Sequence, residues 1–511
     1  MKIKNLEFFS NKTSDKSFWQ SASNKADFEG PIFLYKNLYE DEYKNYKILG
    51  NFDEKQWIVV LNKVAYNLLN LVDGKRNLRQ IYKIYKGLKF KWLILNQELS
   101  KSLSLKDVIK EITSPQNLTL EDLGLFFYFL HQHKVIHFGS PAFELNEQNQ
   151  LNENKRQIAA WIQITNDCNF RCDYCFLQRN PVNMPYKTLV ETIDRVYESA
   201  QRNQIKDILI ELTGGEPLLR LKEIKKIIEY LNKKDNELGL ISKRRLFTNG
   251  SLITKEIACF LKNNNFRLGV SLDGIGPWHD RQSKNVAGQD TFQVVERGIN
   301  ILLDEGVDFF ILTTVTKINL PGLPELIEYL LKNKIRFSCN LVRKNPLVSD
   351  ELIPTTEDLI KWIPRVYEVI QKNLPQYFIA NTLTSNVPDL GYGAHKCGIG
   401  KGVLAIDEKG NYFTCALLFY DKSKALGNVF QNKDFYSLAT SQEVLKENLP
   451  IKEKTDCAAC QYKYLCGDEF CPLSIYFTYN SFKQPAPYCS AFKVLIPQAL
   501  RLEAERLIKY F

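Results

Sequence analysis

The chain has 511 residues, 44% apolar and 25% charged, with a net charge of +10, ordinary values for a soluble protein of two to four domains. No stretch is apolar for long enough to span a bilayer, and the first thirty residues lack the apolar run of a secretory signal, so no membrane role is read and a cytoplasmic protein is expected. Five histidines stand against twelve cysteines, seven of them between Cys397 and Cys489. That balance argues against His-rich metal catalysis and for thiolate ligation in a reducing compartment. No block of five or more like charges occurs, so the positive excess is read as Lys-rich composition rather than a nucleic-acid surface.

In chain order, residues 57–61 form a short apolar strand starting at Trp57. Asn62 can then cap a helix in which Val64, Leu68, Leu71 and Val72 share one face. Gly74 suits a left-handed close to that helix. Asn77 can cap a second helix with Leu78, Ile81 and Tyr85 on its buried side. Residues 120–131 read as a third helix and 134–138 as a strand. A strand pair, three helices and a wing describe a winged-helix α+β module, at about 45–140 within an N-terminal region 1–145. Residues 146–156 are polar and read as a linker.

From 157 to 385 the pattern alternates. Strands are expected at 160–165, 208–212, 245–248, 268–272, 309–315 and 337–341, with helices at 186–200, 221–231 and between most of the others. Six β/α units imply a parallel sheet with helices outside: an α/β, partial (β/α)6 barrel rather than a closed eight-unit one. From about 391 to 511 the chain turns cysteine-rich, aromatic and irregular, as suits a region folded around metal.

Cys168, Cys172 and Cys175 follow the first barrel strand in the spacing Cys-x3-Cys-x2-Cys, with Tyr174 before the last. A cubane iron–sulfur cluster takes four thiolates, so three on one loop leave one iron open to a ligand. A zinc site would want a fourth protein ligand, and none is near in sequence. Gly214-Gly215-Glu216-Pro217 follows the second strand, where glycines let backbone approach a ligand. Thr248-Asn249-Gly250 ends the third strand. Ser271-Leu272-Asp273-Gly274 ends the fourth, with His279-Asp280-Arg281 soon after. All lie at C-terminal strand ends, where barrel enzymes place their sites.

Together these motifs resemble the radical S-adenosylmethionine (SAM) superfamily. The resemblance implies a [4Fe-4S] cluster on the three cysteines whose open iron chelates the amino and carboxylate groups of SAM. One electron from an external reductant, a flavodoxin or ferredoxin, then releases a 5′-deoxyadenosyl radical. It implies that Tyr174, Asn249 and the segment Gly214 to Pro217 border the cofactor, the segment holding its amino group. Ser271 and Arg281 become the candidates for its ribose and carboxylate.

The later cysteines form a second array: Cys397, Cys415, then Cys457-x2-Cys460-x5-Cys466-x4-Cys471, and Cys489. This array resembles the SPASM domain, which carries two auxiliary iron–sulfur clusters, here expected as [4Fe-4S]. One gap departs from the family pattern: four residues separate Cys466 from Cys471 where three are usual. The resemblance implies that Cys457, Cys460, Cys466 and Cys489 bind one cluster fully. Cys397, Cys415 and Cys471 would bind the other, with an open iron, His395 or a peptide as fourth ligand. Structural zinc is the competing reading. Cys259 and Cys339 read as core residues, and Cys339 is also the candidate thiol hydrogen donor. His131, His133 and His137 read as a helix end and wing strand rather than a metal set.

The segment 57–82 resembles a PqqD-like peptide-recognition element, with an apparent insertion at 87–114. Such modules bind the leader of a ribosomally made precursor peptide as an added strand; a DNA-binding winged helix is the alternative. The three parts together resemble maturases of ribosomally synthesised, post-translationally modified peptides (RiPPs). They imply an oxidoreductase that abstracts hydrogen from a precursor peptide and installs a thioether or carbon–carbon cross-link. Competing readings are a peptide epimerase, an anaerobic sulfatase-maturating enzyme, and a non-catalytic iron–sulfur or zinc DNA-binding regulator.

Overall fold

The computed structural model describes residues 2–3, 6–10, 32–35, 38–50, 58–85, 120–133, 135–138, 156–178, 180–376, 397–431, 433–463, 466 and 471–510. Trp57, Lys134, nearly all of the expected linker, the insertion at 87–114 and the stretch 386–395 with His395 lie outside the described residues.

The N-terminal region builds an antiparallel sheet from β1 (Lys2–Ile3), β2 (Leu6–Ser10), β4 (Tyr39–Tyr43), β5 (Tyr46–Gly50) and β6 (Ile58–Asn62), in the order β1-β2-β6-β5-β4; β3 (Ile32–Leu34) stands apart from it. Side chains alternate across a strand, and here both faces are covered. Ile48 and Val60 join the main core of the protein, while Leu49, Val59 and Leu61 join a second core. Helices over Lys63–Leu69, residues 78–85 and Leu120–Gln132 supply that second core, including Ala65, Leu68, Ile81, Phe126 and Leu130. Each fully buried Val, Leu or Ile contributes about 1.5–3 kcal/mol. β7 (Ile136–Phe138) returns antiparallel to β3.

Asn62 caps its helix as expected, its side chain accepting from the Ala65 N–H at 2.9 Å. The expected apolar helix face is corrected: Val64 is 37% exposed, and Leu71 and Val72 lie beyond the helix. The helix ends at Leu69, and its buried face runs through Ala65, Leu68 and Leu69. Gly74 is left-handed (φ +74°), but its N–H donates to the Ile32 carbonyl and so fixes β3 rather than closing the helix. Asn77 and Gln80 exchange side-chain-to-backbone hydrogen bonds, a reciprocal cap for the next helix. Each histidine of the possible metal set has its own place. His131 and His133 bond the carbonyls of Ile136 and Phe129, and His137 packs edge-on to Tyr35.

The central sheet contains the six expected strands. They are β8 (Gln157–Gln163), β10 (Asp207–Thr213), β11 (Lys243–Thr248), β12 (Phe266–Ser271), β14 (Phe309–Val315) and β15 (Phe337–Leu341), all parallel in the order β8-β10-β11-β12-β14-β15. Two short strands outside this sheet, β9 (Phe170–Cys172) and β13 (Ser283–Asn285), pair antiparallel. Amphipathic helices such as Tyr186–Arg202, Leu221–Leu238 and Leu323–Lys332 bury one stripe each against the sheet.

The cysteine-rich region does not stand apart. Its β16 (Val403–Ile406) adds parallel to β8, and β17 (Asn411–Phe413) and β18 (Gly427–Asn428) continue the same sheet to nine strands. The last helix, Cys489–Tyr510, covers the free face of the N-terminal sheet, burying Leu500, Ala504 and Leu507 in the core that holds Ile48 and Val60. Arg501 grips Asp41 of β4 through two 2.8 Å hydrogen bonds, and Tyr43 donates to Glu505 at 2.7 Å. Among the described residues, no helix is long and apolar enough to cross a membrane.

Candidate active site

The loop after β8 carries Cys168, Cys172 and Cys175, and β9 within it is tied to β13, with Cys172 opposite Ser283. The Ser283 hydroxyl lies 3.4 Å from Cys172 Sγ and 3.1 Å from Asp273 Oδ2. Tyr174 donates to the same carboxylate at 2.6 Å, and Asp273 Oδ1 accepts the Thr314 N–H. Asp273, at the end of the fourth strand, therefore orders the cysteine loop. The Phe170 N–H points at Cys168 Sγ (3.3 Å), and Asn249 Nδ2 lies 3.9 Å from it. Burial raises the Cys168 thiol to about 11 and that of Cys172 to about 12, and the neighbouring thiols push the same way. Such thiols ionise readily only when a cation compensates them.

The glycine pair packs backbone on backbone. The Gly215 N–H donates to the Thr165 carbonyl and the Glu216 N–H to that of Asp167, both at 2.8 Å. A Cβ on Gly215 would lie 2.2 Å from the Asp167 oxygen. The close approach expected of these glycines is thus to the loop that carries the cysteines. Glu216 is fully buried and accepts from Leu218 N–H, Thr248 Oγ1 and Asn249 N–H. Burial still raises its pKa to about 7. Its carboxylate staples the loop after β10 to the loop after β11.

These groups open on one cavity of about 770 Å³. Gly214, Gly215, Asn249, Ser271 and Tyr174 line it with the three cysteines; Glu216, Pro217 and Arg281 do not. Deeper in the barrel, Trp161 and Phe247 stack with centroids 5.1 Å apart, a contact possible because Gly269 has no Cβ to strike the Phe247 ring. Glu211 and Arg245 pair at 2.8 Å in the same wall.

The family described as the radical SAM superfamily matches residues 162–332. An uncharacterised protein of Methanocaldococcus jannaschii is 31% identical over 275 residues, 52% of this chain and 87% of that one. The chain belongs to the radical SAM superfamily. A cysteine-type anaerobic sulfatase-maturating enzyme of Clostridium perfringens is 25% identical over 58% of this chain and 84% of its own length. The mycofactocin maturase of Mycolicibacterium smegmatis is also 25% identical, over 68% of this chain and 86% of its own. The solved structure of native anSMEcpe with bound AdoMet and Cp18Cys peptide shares the fold. Its TM-score is 0.56 at 22% identity, covering 68% of this chain and 99% of that one.

A radical SAM protein uses an iron–sulfur cluster and SAM, and the remaining sequence candidates divide between the large cavity and other parts of the fold. Cys397, Cys415 and Cys471 line the same cavity, on the side of β16 and β17. Cys457, Cys460, Cys466 and Cys489 gather instead around a separate small pocket of about 20 Å³, lined also by Phe492 and Ile496. None of the twelve cysteines is joined in a disulfide. Zinc thiolates would lie within about 4 Å of one another; among the described residues no three His, Cys, Asp or Glu groups converge as single-ion ligands.

Arg281 is corrected as a cofactor contact: it is exposed and lies over the Trp278 ring at 4.4 Å. Ser283, two residues on, faces the cavity in its stead. Cys339 is corrected as a hydrogen donor. It packs against the main core, while its neighbour Asn340 lines the cavity, because adjacent residues of β15 face opposite ways. Cys259 sits near Glu305 at 3.4 Å on a partly buried helix face.

Sequence reading quoted Asp273 and His279 within motifs without giving either a role, and missed Glu211 and Arg245. His279 is buried in the cavity wall; its Nδ1 accepts the Asp273 N–H, which leaves a hydrogen on Nε2 with no partner. The signal was present in the His-Asp pair, but only the fold shows that its imidazole turns inward. Glu211 and Arg245 are chemically ordinary strand residues, and nothing in their spacing marks them as a cavity-facing pair.

Proposed function

We propose that this radical SAM enzyme modifies a ribosomally made precursor peptide, captured by its N-terminal module, and closes a thioether or carbon–carbon cross-link in it. The observation that carries the reading is the shared cavity: one space joins Cys168, Cys172 and Cys175 to Cys397, Cys415 and Cys471. The residues fit the groups assigned to them. Three half-buried thiols on one loop suit a cubane with one open iron. The orphaned His279 Nε2–H and the unpartnered Gln163 Oε1 offer a donor and an acceptor in the same walls.

In this reading Cys168, Cys172 and Cys175 hold the radical SAM cluster, and Gly214, Gly215, Tyr174, Asn249 and Ser271 border SAM. When bound, cluster and SAM supply a hydrogen-abstracting 5′-deoxyadenosyl radical. Asp273 positions the cysteine loop through Tyr174 and Ser283, and Glu216 fixes Asn249. Trp161 and Phe247 exclude water from the deep end. Cys397, Cys415 and Cys471 would hold one auxiliary cluster at the cavity, and Cys457, Cys460, Cys466 and Cys489 a fully ligated one in the closed pocket. The region 1–145 would act as the PqqD-like winged-helix module, 157–385 as the barrel and 391–511 as the SPASM domain. Support comes from the mycofactocin maturase likeness and from the N-terminal sheet locked onto the last helix.

Sulfatase maturation is the second reading, favoured by the likeness to the Clostridium perfringens enzyme. The anSMEcpe fold, however, covers 68% of this chain, so about a third of the chain lies beyond it. The experiment is a mass spectrum. A small peptide encoded beside the gene is incubated anaerobically with reconstituted enzyme, reductant and SAM in deuterated water. A sulfatase peptide with the target cysteine or serine runs in parallel. Loss of two hydrogens from the first supports a cross-link. Deuterium gained at one α-carbon without that loss points to epimerisation. Turnover of the sulfatase peptide alone would sink the maturase reading.

A further inference from the structure

Among the described residues, two Lys or Arg side chains are buried: Arg506 and Lys454. Arg506 lies against the Glu503 carboxylate through two hydrogen bonds of 2.7 Å. Lys454, 4% exposed, pairs with no carboxylate among the described residues. Its ammonium donates to one acceptor, the Phe482 carbonyl at 3.1 Å. A buried charge without a counter-charge is strongly unfavourable, so a cation in that position calls for an anion other than a carboxylate.

The surroundings of Lys454 name that anion. It stands three residues before Cys457. Its carbonyl accepts the Cys457 N–H at 3.3 Å, and the Cys457 carbonyl accepts the Cys460 N–H at 3.1 Å, so its backbone starts the turn that carries the group of four. The side chain reaches the other way. Phe482, whose carbonyl holds the ammonium, packs on the same core as Cys397, Cys415 and Cys471. The Thr455 N–H donates to the Lys483 carbonyl at 2.7 Å and ties the two segments together. Burial pulls the ammonium below the ordinary lysine value, and Cys457, Cys471 and Cys397 act in the opposite sense, as thiolates would. Burial also raises the Cys457 and Cys397 thiols to about 11. Near neutral pH, without iron, those thiols are uncharged and leave the ammonium uncompensated; metal ligation makes them thiolates.

We infer that Lys454 is a buried counter-charge shared by the two groups of later cysteines, and that it raises the reduction potential of a cluster on each. The inference rests on the proposed pair of auxiliary clusters. A positive charge favours the reduced, more negative cluster, and local charge is one of the levers on such a potential. The direction suits the proposed reaction. A cross-link removes two hydrogens from the peptide. One leaves as an atom to the 5′-deoxyadenosyl radical; the other leaves as a proton and an electron when the new C–S or C–C bond closes. The proton goes to solvent, and an auxiliary cluster of raised potential takes the electron. Lys454 does not line the large cavity, so it acts through the clusters and is a positioning residue.

The test is a potentiometric titration of the reconstituted full chain, followed by electron paramagnetic resonance, on wild type, Lys454→Met and Lys454→Arg. The reduction step that SAM shifts belongs to the cluster on Cys168, Cys172 and Cys175 and serves as the internal control. In Lys454→Met the other two steps should fall by at least about 59 mV, a tenfold change in a one-electron equilibrium, with the control step unmoved and the iron content unchanged. Lys454→Arg keeps the charge and should stay near wild type. Thermal unfolding of unreconstituted protein separates charge from structure: Lys454→Met should be no less stable than wild type, because the uncompensated cation is gone. Unmoved potentials at full iron content, or shifts of equal size in both variants, overturn the inference and leave the auxiliary clusters standing. A marked loss of stability or of iron in Lys454→Met makes Lys454 a structural tie to Phe482 and also overturns it. If Lys454→Arg does not fold, Lys454→Met decides alone. Wild type that binds only about four irons per chain has no auxiliary clusters, which removes that reading and the inference together.

Discussion

The cysteines of this protein stand in two kinds of place. Cys168, Cys172 and Cys175, with Cys397, Cys415 and Cys471 opposite, face a cavity of about 770 Å³; Cys457, Cys460, Cys466 and Cys489 enclose about 20 Å³ behind Phe492 and Ile496. On the proposed assignment, each group of three would leave one coordination position for something else to enter, while the group of four would leave none. The contrast separates chemistry from support. On that assignment, the groups that line the cavity would meet SAM or substrate, and the group of four would carry electrons or hold the fold.

The sharpest way to break that contrast is to remove one open cysteine. Cys172→Ala should abolish reductant-dependent cleavage of SAM, measured as 5′-deoxyadenosine by chromatography; persistent cleavage would end the enzyme reading. Next in size is Gly215→Ala. The new methyl would meet the Asp167 carbonyl oxygen at 2.2 Å, and neither backbone can yield freely. Overpacking strain of about 1–3 kcal/mol should appear as roughly ten- to hundredfold weaker SAM binding by calorimetry. Unchanged affinity would mean that the glycine pair does not shape the cofactor site.

How much of this was legible from sequence follows the same division. The parallel sheet was readable because each strand is a short apolar run between helical stripes: the fifth and sixth strands fall at 309–315 and 337–341 as expected. The cysteine loop and the glycine pair were readable because their spacing is chemistry-bearing. Side-chain direction was not. Arg281 and Ser283 are two residues apart, and only the pairing of β13 with β9 turns Ser283 toward the cysteines. Nor could spacing reveal that β16 would join β8, because a parallel pairing over more than 200 residues leaves no local periodic trace. The partition of the seven later cysteines came from resemblance; in the fold Cys397, Cys415 and Cys471 line one pocket and Cys457, Cys460, Cys466 and Cys489 another.

A comparison of matched substitutions sharpens the contrast further. Cys460→Ala and Cys471→Ala should each lower the iron content of reconstituted protein by up to about four atoms, and both should retain SAM cleavage. Only Cys471→Ala touches the cavity, so it should uncouple cleavage from peptide product, with 5′-deoxyadenosine formed and little mass change in the peptide. Cys460→Ala should instead lower the unfolding temperature. Identical effects of the two substitutions on both readouts would erase the distinction between open and closed groups.

The smallest effect tests the buried carboxylate behind the cavity wall. Glu216 is buried, and burial outweighs its three donors, so its pKa stands at about 7 rather than the ordinary 4.5. The folded protein then binds a proton that the unfolded chain releases. The stability this contributes is fully present below about 4.5 and is lost as pH rises through about 7. Glu216→Gln cannot titrate, so thermal unfolding of the unreconstituted protein should show wild type losing stability relative to the variant across that window. The loss is at most on the order of 3 kcal/mol. The glutamine has its own cost, since with its oxygen kept toward Leu218 and Thr248 its NH2 faces the Asn249 N–H and cannot accept from it, but that cost is the same at every pH and leaves the slope intact. Parallel curves would mean that the three hydrogen bonds fully offset burial, and that Glu216 holds the second and third strand loops as an ordinary carboxylate.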